Sequence, residues 1–130
     1  MFLEENPEKW IQLEEVESTN TAILTGNYPA GSVMLAKSQS AGRGRHGRVW
    51  NAISGRSFIF SGLVEMPDFD ERRVLFLPLV FGLAVYHASV SIWKILESSK
   101  NLPDIRIKWP NDILGNGCRI AEPFRIGINP

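Results

Sequence analysis

The sequence predicts an α+β fold, one domain in which helices pack on a mixed or antiparallel sheet, and three observations carry that prediction. Short apolar runs of strand length are separated by glycine, proline and asparagine. One long uncharged run, residues 74–93, holds apolar residues at helical spacing. Composition supplies the third: 44% hydrophobic and 22% charged residues in a chain of 130 suit a small domain with a core, not a low-complexity or disordered chain.

In chain order, Trp10–Val16 alternates well enough to be a strand. Ser18, Thr19 and Asn20 then offer capping side chains for a short helix through about Leu24, stopped near Gly26. After the Tyr28-Pro29-Ala30-Gly31 turn, residues 32–37 and 57–64 read as strands with a glycine- and arginine-rich loop between them. A long helix over residues 78–97 follows, then strands at 105–109 and 124–128, giving the order β-α-β-β-α-β-β. The uncharged run has the length of a membrane span, about twenty residues. Pro78 and the polar group Tyr86, His87, Ser89 and Ser91 argue instead for a buried helix, with Phe81, Ala84, Val85, Ala88, Ile92, Ile95 and Leu96 as its core stripe. No membrane partner is expected.

Charge is balanced overall, 14 Lys+Arg against 14 Asp+Glu, but unevenly placed. Residues 1–20 carry six acids and one base, whereas residues 21–64 carry five bases (Lys37, Arg43, Arg45, Arg48 and Arg56) and no acid. Affinity for a nucleic-acid backbone grows with the number of phosphates neutralised together, so this distribution favours a compact anionic ligand over DNA. The single cysteine, Cys118, excludes an internal disulfide and a cysteine zinc cluster. The start, MFLEENPEK, lacks the basic and apolar regions of a secretory signal, and a cytoplasmic location is expected. His46 and His87 have no partner at metal-ligand spacing.

Two motifs carry chemistry. The run Gly42-Arg43-Gly44-Arg45-His46-Gly47-Arg48 contains G-x-G-x-x-G, but no helix opens after it, so a dinucleotide fold is rejected. Its glycines admit close backbone approach, and its arginines are permanent planar donors for phosphate or carboxylate oxygens. An anion cradle, a solvated basic loop and a short RG-type nucleic-acid segment all fit that composition. The second motif, Lys108-Trp109-Pro110-Asn111-Asp112, is an Asx-type turn at a strand end. Together the two motifs could bring arginines, an ammonium and a carboxylate to one cleft suited to ATP and magnesium.

At these residues the sequence resembles the biotin–protein ligases. The first motif, continued through Val49 and Trp50, is similar to their G-R-G-R-x-G-R-x-W signature, and Lys108–Asp112 to their K-W-P-N-D motif. Glu17-Ser18-Thr19-Asn20 resembles the S-T-N element, Gln39 falls at a biotin-contacting glutamine, and Gly127-Ile128-Asn129 resembles the G-I-N segment. The resemblance implies a class II synthetase-like catalytic domain that activates biotin with ATP to biotinyl-5′-adenylate and passes it to a lysine of a biotin carboxyl carrier protein. By position, Ser18, Thr19, Asn20, Gln39, Gly42 and Arg43 would hold biotin. Arg43, Arg45, Arg48, Trp50, Lys108, Asn111, Asp112 and Asn129 would serve ATP, with Asp112 at magnesium. Arg45, Arg48 and Arg119 would be catalytic, and the glycine-rich loop is expected to be floppy until ligand orders it.

Arg119 stands where the family has a lysine, and Arg119-Ile120-Ala121 runs straight into Glu122-Pro123-Phe124, so a core strand and its neighbour are expected to be missing. Neither the N-terminal DNA-binding domain nor the C-terminal barrel of larger members is expected, which removes DNA as a partner. A non-catalytic binding homologue, one pairing its exposed edge with a second copy as a homodimer, and a lipoate ligase-like enzyme are the alternative readings.

Overall fold

The computed structural model describes residues 9–44, 48–66, 70–96 and 101–121. They form two compact units, the first ending before Asp68 and the second beginning there. In the first unit β1 (Trp10–Val16) leads through α1 (Thr19–Thr25) to β2 (Val33–Gln39), and β3 (Ile59–Gly62) completes a three-stranded sheet in the order β1-β2-β3. The β1/β2 pair is parallel, from Trp10 opposite Val33 to Val16 opposite Gln39, and such a pair demands a crossover, which α1 supplies. β3 returns antiparallel to β2, with Ala36 opposite Ile59 and Met34 opposite Ser61. Residues opposite one another share a face, so Met34, Ala36, Ile59 and Ser61 lie on one side of the sheet. Ile23 of α1 packs there, and Met34, Ala36, Ile59 and Ile23 are the buried core.

Local chemistry fixes both ends of α1. Ser18 is extended, and its hydroxyl accepts from the Thr21 amide at 3.4 Å; Gly26 closes the helix by donating to the Ala22 carbonyl at 3.0 Å. The parallel ladder continues past β2, with the Ser40 and Ala41 amides donating to the Val16 and Glu17 carbonyls at 3.1 and 2.9 Å. Gln39 is thereby held at the start of α1.

The second unit contains α2 (Glu71–Val74), α3 (Leu77–Leu96) and an antiparallel sheet of β4 (Ile105–Lys108), β5 (Asp112–Gly115) and β6 (Cys118–Ala121). β5 and β6 meet at Asn116 and Gly117, whose φ values of 50° and 80° are the left-handed pair that a two-residue type I′ hairpin requires. α3 packs on β4 and β5, and Ile113 and Asn111 are almost fully enclosed.

The mixed and antiparallel sheets agree with the α+β expectation, as do the bounds of β1, α1 and α3. Four details differ. The strand expected over 57–64 is only Ile59–Gly62, and the strand expected over 105–109 stops at Lys108. α2, β5 and β6 were not anticipated, and β2 runs on to Gln39, two residues past its expected end at Lys37. The strand expected over 124–128 lies outside the described residues.

The expectation of a buried core stripe on α3 is also corrected. Phe81, Ala84, Ala88, Ile92, Ile95 and Leu96 are exposed, Val85 is half-buried, and Gly82 is the buried residue of the helix. Residues 72–96 are long and apolar enough to cross a membrane by length and composition, with 6% of the most apolar window buried. Helical periodicity counts apolar side chains, whereas this contact is made where a side chain is absent. A Cβ on Gly82 would stand 3.1 Å from the Asn111 Cα and 3.5 Å from the Pro110 carbonyl oxygen, so the helix backbone rests almost directly on the turn.

Gly82→Leu is therefore expected to push α3 off that turn and cost about 2 kcal/mol, the usual scale of overpacking. A urea midpoint equal to that of the parent chain would show that the contact carries no such load.

Candidate functional site

In the first unit a small polar cluster sits where α1, β2 and β3 meet. The Thr19 amide donates to Gln39 Oε1 at 2.8 Å, the Thr19 hydroxyl lies 3.1 Å from the same oxygen, and the Ser61 hydroxyl is 2.9 Å from Thr19 Oγ1. Ser18 and Thr19 are buried and Asn20, Gln39 and Ser61 half-buried. Ser18 works through its cap, which holds the first turn so that the Thr19 amide faces β2.

Next along the chain the arginine-rich segment is a hairpin at its base. Arg43 and Val49 form an antiparallel bridge, the Gly44 amide donates to the Arg48 carbonyl at 2.7 Å, and the Trp50 amide donates to the Gly42 carbonyl at 2.8 Å. At this base three residue pairs are tied by backbone pairing, while the loop's tip, residues 45–47, lies outside the described residues. Gly42 is buried because its space is taken: a Cβ there would lie 2.5 Å from the Trp50 carbonyl oxygen and 3.2 Å from Gln39 Nε2. The glycine thus brings the basic hairpin against the amide of the polar cluster. Arg43 and Arg48 are exposed and Trp50 half-buried.

Lys108, Asn111, Asp112 and Arg119 form a separate set in the second unit. Lys108 and Asp112 are directly opposite in the β4/β5 ladder, flanking the turn, so their side chains leave the same face. The Asp112 carboxylate stands 3.9 Å from Arg119 Nη1, reached diagonally across β5 and β6 where the register shifts between Ile113 and Leu114. Asp112 is the more enclosed partner, 18% exposed against 41% for Arg119. Arg45 and Asn129 lie outside the described residues. His87 packs edge-on against Tyr86, with ring centroids 5.4 Å apart, and among the described residues no three His, Cys, Asp or Glu side chains gather as a metal site.

Sequence reasoning missed Ser61. Its signal was present: residues 59, 61 and 63 share a strand face, and a serine between Ile59 and Leu63 is a polar group turned toward the core.

The family model for the biotin/lipoate A/B protein ligase family matches residues 12–121. A biotin–[acetyl-CoA-carboxylase] ligase of Mycobacterium tuberculosis is 35% identical over 92% of this chain and 50% of its own length. Among solved structures, the Leishmania major biotin protein ligase in complex with biotinyl-5-AMP superposes with a TM-score of 0.70 at 29% identity, over 85% of this chain and 49% of that one. The Aquifex aeolicus biotin protein ligase in complex with biotin and ATP gives a TM-score of 0.66 at 36% identity, over 80% of this chain and 40% of that one. This chain spans about half the length of the Mycobacterium relative.

The crowding at Gly42 generates a direct expectation. Gly42→Ala must displace the Trp50 carbonyl, so the Trp50 and Gly44 amides should exchange with deuterium at least about tenfold faster than in the parent chain. Unchanged protection would show that the hairpin base does not depend on this glycine.

Proposed function

Because the chain belongs to the biotin/lipoate A/B protein ligase family, we propose that it acts as a biotin–protein ligase, activating biotin with ATP and transferring it to a lysine of a carboxyl carrier protein in the cytoplasm. The observation that carries this reading is the neutral Thr19–Gln39–Ser61 cluster meeting the cationic hairpin at Gly42. Uncharged hydrogen-bonding groups beside arginines suit a ligand with a polar, neutral head and an anionic end, and biotin has a ureido ring and a carboxylate.

In the first step a biotin carboxylate oxygen bonds to the α-phosphorus of ATP, the bond from that phosphorus to the β-bridging oxygen breaks, and pyrophosphate leaves. Negative charge crowds at the junction, and Arg43, Arg45 and Arg48 are the groups that offset it. In the second step the carrier lysine's amine attacks the acyl carbon, AMP departs with the electron pair, and the amine gives up a proton to solvent. Lys108, Asn111, Asp112 and Asn129 serve the nucleotide, and Arg119 orients Asp112. Trp50 offers a half-buried aromatic face at the hairpin's base for the adenylate. Magnesium fits one carboxylate plus nucleotide phosphates, so Asp112 would hold an ion that arrives with ATP and neutralises phosphate charge. Since Arg119 already faces that carboxylate, a resident metal without nucleotide is disfavoured.

Purified chain is expected to catalyse biotin-dependent exchange of labelled pyrophosphate into ATP. Arg48→Ala and Arg45→Gly should each lower the exchange rate about a hundredfold, the scale of losing one charge-stabilising donor. Folded chain that binds biotin but exchanges no pyrophosphate would replace the enzyme with a binding homologue. Asp112→Asn should raise the KM for magnesium-ATP while leaving the affinity for biotin as it is; a loss of biotin affinity instead would remove Asp112 from the nucleotide's side.

A further inference from the structure

Resting on the biotin reading, we infer that Ser61 is a positioning and specificity residue: through Thr19 it fixes which hydrogen-bonding atoms of Gln39 and of its own side chain remain for the ring of the bound acid. The Thr19 amide sets the sense of the network. A backbone N–H can only donate, so the Thr19 amide, 2.8 Å from the Gln39 carboxamide, requires the oxygen of that carboxamide to face it. The Thr19 hydroxyl, 3.1 Å from the same oxygen, which can only accept, donates its single proton there. Ser61 Oγ, 2.9 Å from Thr19 Oγ1, then has to be the donor of that pair.

Every proton in the chain now has a direction, from Ser61 to Thr19 to Gln39. Two consequences follow for a ligand. Gln39 has its oxygen engaged twice and offers its NH2 donors, on the side where Gly42 comes closest. Ser61 has spent its proton and offers lone pairs alone. One donor and one acceptor held in this way match a group carrying both C=O and N–H, such as a cyclic urea, and give nothing to a ring of sulfur and carbon. Ser61 sits at this point because it is opposite Met34 in the β2/β3 ladder, on the core face beneath α1. Its neighbours on that face, Met34 and Ile59, are buried and apolar, so among the described residues Thr19 is the hydrogen-bond partner its hydroxyl finds.

The test is titration calorimetry of the full chain with biotin and with desthiobiotin, which keeps the urea and lacks the thioether, for the parent, Ser61→Ala and Ser61→Thr. Ser61→Ala should weaken both ligands by a similar factor of about ten, and Ser61→Thr, which restores the hydroxyl, should recover most of the loss. Cooperative thermal unfolding near the parent's Tm should accompany that result. Binding by Ser61→Ala within twofold of the parent would overturn the assignment. So would a loss that Ser61→Thr does not recover, or one that comes with broken cooperative unfolding, since either makes Ser61 only structural. A parent chain that binds neither ligand would overturn the biotin reading, and this assignment with it, whereas a parent that binds normally confines any failure to Ser61.

Discussion

The parallel pairing of β1 with β2 is the constraint on which the first unit depends. Antiparallel strands can turn back in two residues, but a parallel pair must return the chain to the end at which it started. Here the return is α1 and the turn after it, so the residues that open α1 necessarily lie at the end of β1 where β2 also finishes. Thr19 and Gln39 are 20 positions apart in sequence and meet because that ladder runs in register to its last pair, Val16 with Gln39. A one-residue slip would turn Gln39 to the other face of the sheet. The cluster is therefore a product of strand register before it is a product of side-chain choice.

The elements legible in the sequence were those governed by local rules. Ser18 before an apolar helix and Gly26 after it are signals of a cap and a stop, and α1 begins and ends there. The strands of the first sheet follow from alternation, with Met34 and Ala36 turned inward as period two requires. Asn116-Gly117 is equally legible: this dipeptide between apolar segments is a strong hairpin signal and announces both β5 and β6. The strand placing Arg119 diagonally across from Asp112 was thus available from chemistry that needs no distant contact.

The long helix shows where local rules end. Its apolar residues recur so evenly around the axis that periodicity could not choose one face, and the residues named as core are largely exposed. What seats α3 in its unit is Gly82 against Asn111 and Pro110, a contact defined by missing volume and therefore invisible to any count of hydrophobic side chains. Among the candidate site residues, those close to a strand end or a cap could be placed from sequence. For Ser61 the alternation shows only a polar residue on the core face; its place beside Thr19 depends on being opposite Met34, and that depends on how β3 registers on β2.

Gly42 links the two chemistries of the first unit by the same physics. In the sequence it looks like one of several glycines that make a basic loop pliable. In the fold its lack of a side chain lets the Trp50 carbonyl and the Gln39 amide occupy adjoining space, while its own carbonyl accepts the Trp50 amide. Pliability and close approach make opposite demands on a residue: the first needs it unpaired, the second needs it held. Pairing at Gly42, Arg43 and Gly44 shows that the second demand prevails at the hairpin's base. Arg43 and Arg48 are then carried on a ladder whose origin is fixed beside Gln39. Hydrogen-bond recognition and charge are consequently held at a set separation by the backbone, and the electrostatics of the hairpin inherit their position from the strand register that placed Gln39.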